Sequence, residues 1–307
     1  METANLRAFV QVALTRSFSA AARELHLTQP AVSKRIATLE TQLSARLFDR
    51  IGRRVRLTEA GATLLPRARR ILSELRASTR AIRNLDGRVQ GPMLIGTSHH
   101  VGLHKLPPVL SAYTRGYPQV ELDIRFLDSE VIVQEVERGE LELGIATLPE
   151  TPPEGVVTTP VWRDELVIAT SAEHPLAGLK CVDAAMLSRH RAILPGRGTY
   201  TRRIIEKAVA PLGATLKISL ETNYLETIKM MVSVGLGWSI LPRQMLDADF
   251  STMRLRDTDM FRVLGVVRHG GFTLSNAARA MLETISRLEP GVEGLDARDG
   301  GDTGVRN

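Results

Sequence analysis

Gln29, Ser33, Lys34, Arg35 and Thr38 fall within the ten residues QPAVSKRIAT, and each ends in a hydrogen-bonding group. A glutamine amide matches the paired donor and acceptor of an adenine edge, a lysine or arginine matches guanine or phosphate, and a serine lets backbone approach closely. A second set is spread wider: Thr97, Ser98, His99 and His100, then Asp128, Thr147, the run Gly198, Thr199, Tyr200 and Thr201, and Thr222 with Asn223. Hydroxyls and amides of this kind bond the oxygens of a carboxylate, phosphate or sulfate, and His99, His100, Arg197 and Arg202 can add charge. The first set offers chemistry for a nucleic acid, the second for a small anion.

Helices must position the first set. SFSAAARELHL can start at a capping serine, Ser17 or Ser19, and places Phe18, Ala21, Ala22 and Leu25 at helical spacing. TQP then interrupts it: Thr28 can cap a new helix, and Pro30 is tolerated where first-turn amides have no intrahelical acceptor. In that second helix Val32, Ile36, Leu39 and Leu43 step by four, three and four into one apolar stripe, with Lys34, Thr38 and Thr41 opposite and Ser33 and Arg35 on the flanks. Two short helices joined by a tight turn form a helix-turn-helix, whose second helix enters the DNA major groove. Next, LFDRIGRRVRLTEAG sets Arg50, Arg53, Arg54 and Arg56 around Gly52, which predicts a two-stranded wing against phosphates. Charge follows the same division: residues 1–91 hold 17 Lys and Arg against 7 Asp and Glu, the remainder 23 against 27. The positive field sits where the reading helix is expected.

The run from Phe18 to Gly61 resembles the DNA-binding domain of the LysR-type transcriptional regulators. The likeness rests on Ala21 and Ala22, on L-x-x-[ST]-Q-[PS]-A-[VL]-S from Leu25 to Ser33, and on LF-x-R from Leu47 to Arg50. It extends over nearly the whole chain and implies base and backbone contacts from Gln29, Pro30, Ser33, Lys34 and Arg35, with wing contacts from Arg53 and Arg54. Ser19, Thr28, Thr38 and Arg50 complete the expected DNA-facing set.

Beyond the wing, Leu64, Ala68, Ile71, Leu75, Ser78, Ile82 and Leu85 alternate steps of four and three, the seam of a helix that pairs with a second copy. Two copies would present two reading helices to a palindrome. DGRVQGP, residues 86–92, supplies the Gly and Pro of a hinge. The rhythm then changes to strands followed by helices, PMLIGTS to LELGIAT as βαβαβ and a second set from DELVIATS onward, which predicts two α/β lobes crossing near Pro160 and Val266. The resemblance implies the same two-lobed fold, like periplasmic solute-binding proteins, with an inducer between lobes. It also supports Thr97 to His100, Thr147, the 198–201 loop and Thr222–Asn223 as cleft positions.

The expected fold class is therefore α/β with an N-terminal all-α winged helix-turn-helix. The division is 1–58 for the winged domain, 59–90 for the linker and dimerisation helix, 91–288 for the regulatory domain and 289–307 for a disordered tail. Within the regulatory domain, lobe I covers about 91–160 and 267–288, and lobe II about 161–266. A single cysteine, Cys181, excludes an internal disulfide or a Cys-rich zinc site, and a lone cysteine reads as a small buried hydrophobe. His100 and His104 lie four apart with His99 beside them, but no carboxylate or thiol lies near in sequence, so no metal site and no cofactor are expected. G-x-S-x-G, G-x-G-x-x-G, Walker A and H-E-x-x-H patterns are absent, so no enzyme is expected. An apolar run long enough to cross a bilayer is absent too, which places the chain in the cytoplasm away from membranes. The expected function is a sequence-specific, LysR-type regulator controlled by a small, anionic effector. Its partners are a double-stranded DNA operator, that effector, a second copy in a homodimer paired into a tetramer, and RNA polymerase as a further candidate. The competing reading is an architectural DNA-binding protein that ignores metabolites; the acidic two-lobed remainder is hard to justify in that role.

Overall fold

Three short helices begin the chain because apolar residues recur there every three or four positions: α1 (Thr3–Thr15), α2 (Phe18–Glu24) and α3 (Gln29–Leu43). Ser17 caps α2 by accepting from the Ala20 amide, and Thr28 caps α3 by accepting from Ala31. Leu6, Phe9 and Val12 of α1 pack with Phe18, Ala21 and Ala22 of α2 and with Val32, Ile36 and Leu39 of α3. Strands β1 (Phe48–Ile51) and β2 (Arg54–Leu57) then pair antiparallel, with Phe48 opposite Leu57. Glu40 fixes the entry to the wing by accepting from the Leu47 amide at 2.7 Å.

This computed structural model describes residues 1–51, 54–209 and 215–289, side chains excepted at Arg50, Ile51, Arg54 and Arg83. It forms two units. The first holds Met1–Arg88 with two short excursions, Arg138–Glu140 and Gly271–Ser275; the second holds Val89–Glu137, Leu141–Gly270 and the chain from Asn276. The wing turn with Arg53, and the tail from 290 on, lie outside the described residues.

Helix α4 (Glu59–Arg83) follows the wing, capped by Thr58, whose hydroxyl accepts from the Gly61 amide at 3.0 Å. A Cβ on Gly61 would stand 2.2 Å from the Leu47 carbonyl oxygen, backbone that cannot swing aside. Gly61→Ala is therefore expected to destabilise this unit by about 1–3 kcal/mol, read as a lower urea midpoint at unchanged m-value. The expected seam along α4 divides in two. Ala68 is fully buried in the winged-helix core and Leu64 packs against it, so these two serve their own unit rather than a second copy. Ile71, Leu75 and Ile82, with Leu85 just beyond the helix, are exposed and form the free part of the stripe. The two excursions join this unit at α4 and its C-terminal cap: Arg76 donates to the Gly139 carbonyl at 3.0 Å, and the capping Asn84 donates to the Leu274 carbonyl at 2.8 Å.

The second unit is organised by one mixed sheet. Strands β3 (Gly91–Thr97), β4 (Val120–Phe126) and β5 (Leu143–Thr147) are parallel, with β3 in the middle. They are linked by α5 (His99–His104), α6 (Leu106–Gly116) and α7 (Ser129–Glu137), the expected βαβαβ run. The sixteen-residue β6 (Val156–Ser171) runs on past this region. After it come the short β7 (Cys181–Val182), α8 (Ala184–Ser188) and β8 (Arg191–Leu194). Helix α9 (Tyr200–Val209), β9 (Lys217–Glu221), α10 (Leu225–Ser233), β10 (Ser239–Pro242) and β11 (Phe250–Leu255) follow. Strand β12 (Met260–His269) returns antiparallel to both β6 and β5, and α11 (Asn276–Leu288) closes the unit. The later region is not a single parallel sheet: β10 and β11 both run antiparallel to β6, whereas β8–β9 and β7–β11 pair parallel and Ala192 of β8 bridges Trp238 in parallel just before β10.

The ladder of β6 and β12 shifts register between Leu264 and Gly265, opposite Trp162 and Pro160, which leaves Val161 as the extra residue of a bulge. On one side of this shift Ile132, Val133, Val136 and Val267 make a core; on the other, Leu166, Ile168, Ile205, Trp238 and Ile240 make another. Two long strands are thus shared by two cores.

Candidate functional site

On α3 Gln29, Pro30, Lys34 and Thr38 are exposed, Ser33 and Arg35 are half-buried, and Ser19 on α2 is exposed. Gln29 Nε2 donates to Ser33 Oγ at 3.0 Å, so the first turn carries a preformed polar pair. Thr28 is engaged as the cap, and the Thr38 hydroxyl donates back to Lys34 O at 2.9 Å. Arg50 and Arg54 lie in the two wing strands, and Arg56 is exposed beside them. The face presents cations and amides with no carboxylate among the residues named, the composition that phosphates and base edges require.

In the second unit, four helices start at one cavity. Strand β3 leads through Ser98 to α5, β4 through Asp128 to α7, β8 through Thr199 to α9, and β9 through Asn223 to α10. Ligands of open α/β sheets sit beyond such strand ends, where helix N-termini leave amides unbonded and carry positive dipole ends. The cavity is only about 50 Å³, well under the roughly 300 Å³ that begins the usual ligand range. Internal groups fill the remainder. Glu130, in the first turn of α7, accepts a short hydrogen bond from the Tyr200 amide at the start of α9. Asn223 Nδ2 donates to Asp128 Oδ2 at 2.7 Å, and Asn223 Oδ1 accepts from the Gly196 amide at 2.9 Å. Burial pushes the Glu130 carboxyl above its ordinary value, although the Tyr200 amide and Arg203 pull the other way.

At the floor stands a buried ion pair. Arg262 of β12 donates from Nε to Asp164 Oδ2 at 2.8 Å, its Nη2 is 2.7 Å from the same oxygen, and its Nη1 donates to Thr201 Oγ1 at 3.2 Å. Burial alone would raise the Asp164 carboxyl, but His100 and the Arg262 charge outweigh it and hold the group well below the usual carboxylate range. A larger recess of about 600 Å³ lies along Leu148, Pro160, Ile204, Met260 and Phe261. It is mostly apolar and no helix begins in it, so the smaller polar cavity is the better candidate for a charged or polar ligand.

Comparison with known proteins settles the family. Residues 3–62 match the model of the bacterial regulatory helix-turn-helix proteins of the lysR family, and residues 86–289 match the LysR substrate-binding domain. The chain belongs to the LysR family of transcriptional regulators. The RuBisCO operon transcriptional regulator of Allochromatium vinosum is 30% identical over 91% of this chain and 94% of that one. An uncharacterised HTH-type regulator from the ibpB-leuC intergenic region of Azotobacter vinelandii is 65% identical over 108 residues, 35% of this chain and 75% of the relative. A full-length OxyR variant from Pseudomonas aeruginosa superposes with a TM-score of 0.68 at 25% identity, over 96% of this chain and 99% of that one. As a LysR-type regulator the chain pairs a DNA-reading domain with an effector-binding domain, and proteins of the family bind DNA and small molecules and form oligomers.

Within this LysR fold, Ser98, His99, His100, Asp128, Thr147, Thr199, Tyr200, Thr201 and Asn223 line the cavity. Thr97, Gly198 and Thr222 do not. The Thr97 hydroxyl donates to Ile145 O at 2.9 Å between β3 and β5, Gly198 takes a left-handed turn at φ +90°, and the Thr222 amide donates to Leu194 O. Arg197 and Arg202 do not supply charge here: Arg197 is exposed, and Arg202 is buried against Glu206, Glu221 and the Pro195 carbonyl. Ser129, Glu130 and Arg262 also line the cavity, and the sequence pattern does not single them out. Arg262 left one trace, a charge inside the apolar strand FRVLGVVR. Cys181 is exposed rather than buried. Among the described residues no helix is long and apolar enough to cross a membrane.

Proposed function

We propose that this LysR-type regulator responds to a small anion held between two lobes, lobe I about 91–160 and 267–288 and lobe II about 161–266. The observation that carries the reading is the Glu130 carboxylate on the Tyr200 amide: the α9 N-terminus accepts a carboxylate, and a neighbouring segment now supplies one. An effector carboxylate or phosphate would take that place, with Ser98, Thr147, Thr199, Thr201 and Asn223 as further partners. Asp128 and Asn223, bonded to each other, would part to admit it. Such a ligand shifts the equilibrium by its preference for one lobe arrangement over the other.

DNA would be read by Gln29, Pro30, Ser33, Lys34 and Arg35 on bases and backbone, with Arg50, Arg53 and Arg54 on wing phosphates and Ser19, Thr28 and Thr38 at the margin. Ile71, Leu75, Ile82 and Leu85 would join two copies, and two such dimers a tetramer. Regulation by a DNA reader also fits a cytoplasmic place, contact with RNA polymerase and the absence of a catalytic role. The test is footprinting of the purified protein upstream of its own coding sequence, with and without fractionated cell metabolites at fixed salt. A palindromic footprint that changes length with one anionic fraction is expected; sequence-independent coating, unchanged by every fraction, would mean the architectural reading.

The Glu130 carboxyl gives a separate check. Its folded pKa lies above its unfolded one, so its favourable contribution is present at low pH and is lost as pH rises through the elevated value. Glu130→Gln is expected to flatten that decline when unfolding midpoints of the two proteins are compared across roughly pH 4–8. The same change removes the charge an anion must displace, so affinity for the active fraction should rise. Parallel pH curves for the two proteins would show that Glu130 carries no burial penalty.

A further inference from the structure

Three ligating side chains meet beside the cavity. His100 and His104 are one turn apart on α5, so both imidazoles leave the same face. Glu226, in the first turn of α10, approaches from a segment 122 residues away, and one donor atom of each of the three lies within 4.8 Å of the others. His104 Nε2 stands 3.0 Å from Glu226 Oε1, and the two imidazole centroids are 4.9 Å apart. His100 adds an independent observation: it is 4% exposed and its Nδ1 makes no hydrogen bond. Its Nε2 stands 3.4 Å from Asp164 Oδ2, but that carboxylate is already held by Arg262 and Gln244.

We propose that His100, His104 and Glu226 form a binding site for a divalent cation of the zinc type. Two imidazoles and one carboxylate suit Zn²⁺ and its borderline neighbours, whereas Mg²⁺ and Ca²⁺ favour all-oxygen cages. Bonds of about 2.0–2.2 Å to a tetrahedral ion put donors roughly 3.3–3.6 Å apart. The His104 and Glu226 donors are already that close, and the His100 donor, within 4.8 Å of both, has at most about 1.2 Å to close. The nearest guanidinium, Arg262, has its charge balanced by Asp164. Three protein ligands leave one position open, as in zinc sites that hold water or a further ligand. Because α5 precedes the crossing strand β6 and α10 follows it, a bound ion fastens together the two sides of the cavity. The site stands on its own geometry, independent of which effector the cavity takes.

Full-length protein stripped with EDTA and dialysed would be titrated with ZnCl₂ against a chromophoric chelator, and separately with CoCl₂ by visible absorption. One tight Zn²⁺ per chain and the intense Co²⁺ bands of a four-coordinate site are expected. His104→Ala and Glu226→Gln should each weaken that site at least about 10-fold and abolish the bands, while His174→Ala, which alters the separate His174–His190 pair, leaves both unchanged. His104 and Glu226 are each more than a third exposed, so their variants should fold; matching metal-free unfolding midpoints verify this. Unaltered Zn²⁺ affinity or retained Co²⁺ bands in both variants would falsify the site.

Discussion

Asp164→Asn should destabilise the second unit by about 3–5 kcal/mol, because it leaves the Arg262 guanidinium buried without its counter-charge. Asp164 is 1% exposed and Arg262 4%, they are register partners in the β6–β12 ladder, and both guanidinium approaches to Oδ2 are under 3 Å. An amide at 164 keeps the shape and loses the charge that Arg262 needs. The pair also steers the cavity, since Arg262 Nη1 reaches Thr201 Oγ1 while its Nε holds Asp164. Urea unfolding of the full chain should show the transition of this unit moved to lower denaturant and that of the winged-helix unit in place. Asp164→Asn combined with Arg262→Met is expected to recover much of the loss, as buried pairs replaced by apolar side chains often do. A single variant as stable as the double would show that the guanidinium is hydrated or mobile in solution.

The helix-turn-helix was legible in the sequence because its determinants are local: Val32, Ile36 and Leu39 are the stripe that faces Ala21, Ala22 and Leu6 in the core. The α4 pattern was legible as a period but not as a partition. Leu64 and Ala68 belong to the same four-three rhythm as Ile71 and Leu75, and only the position of the winged-helix core decides which are covered. The mixed sheet was half legible. β6 begins at Val156, yet Pro160, which cannot donate to a ladder, conceals its first half; the bulge accommodates the proline opposite Gly265.

The cavity followed the same logic. Strand ends followed by hydroxyl residues stand out in the sequence, which is why Ser98, Thr147, Thr199 and Asn223 could be named from it. What they bond to could not. Glu130 meets Tyr200 across 70 residues, Asp164 meets Arg262 across 98, and Glu226 meets His104 across 122. A histidine pair without a nearby carboxylate gave no metal reading until the fold brought one from α10.

Lys34→Ala with Arg35→Ala should abolish specific DNA recognition while leaving the fold and the cavity intact. Lys34 is exposed and Arg35 half-buried, and both are off the Val32, Ile36 and Leu39 stripe that holds α3 in its core. Substitutions there are expected to change stability by no more than about 0.5 kcal/mol. Removing a side chain that reads a base should cost about 1–3 kcal/mol, roughly 5- to 150-fold in affinity apiece. A side chain on phosphate would behave differently, its removal weakening all sequences alike and lowering the salt slope by about one unit. Titrating operator and scrambled DNA over a salt series separates the two. If Lys34 and Arg35 read bases, the operator preference collapses and the slope is nearly kept. If they hold phosphates, both DNAs weaken together and sequence reading passes to Gln29 and Ser33, the preformed pair on the first turn of α3.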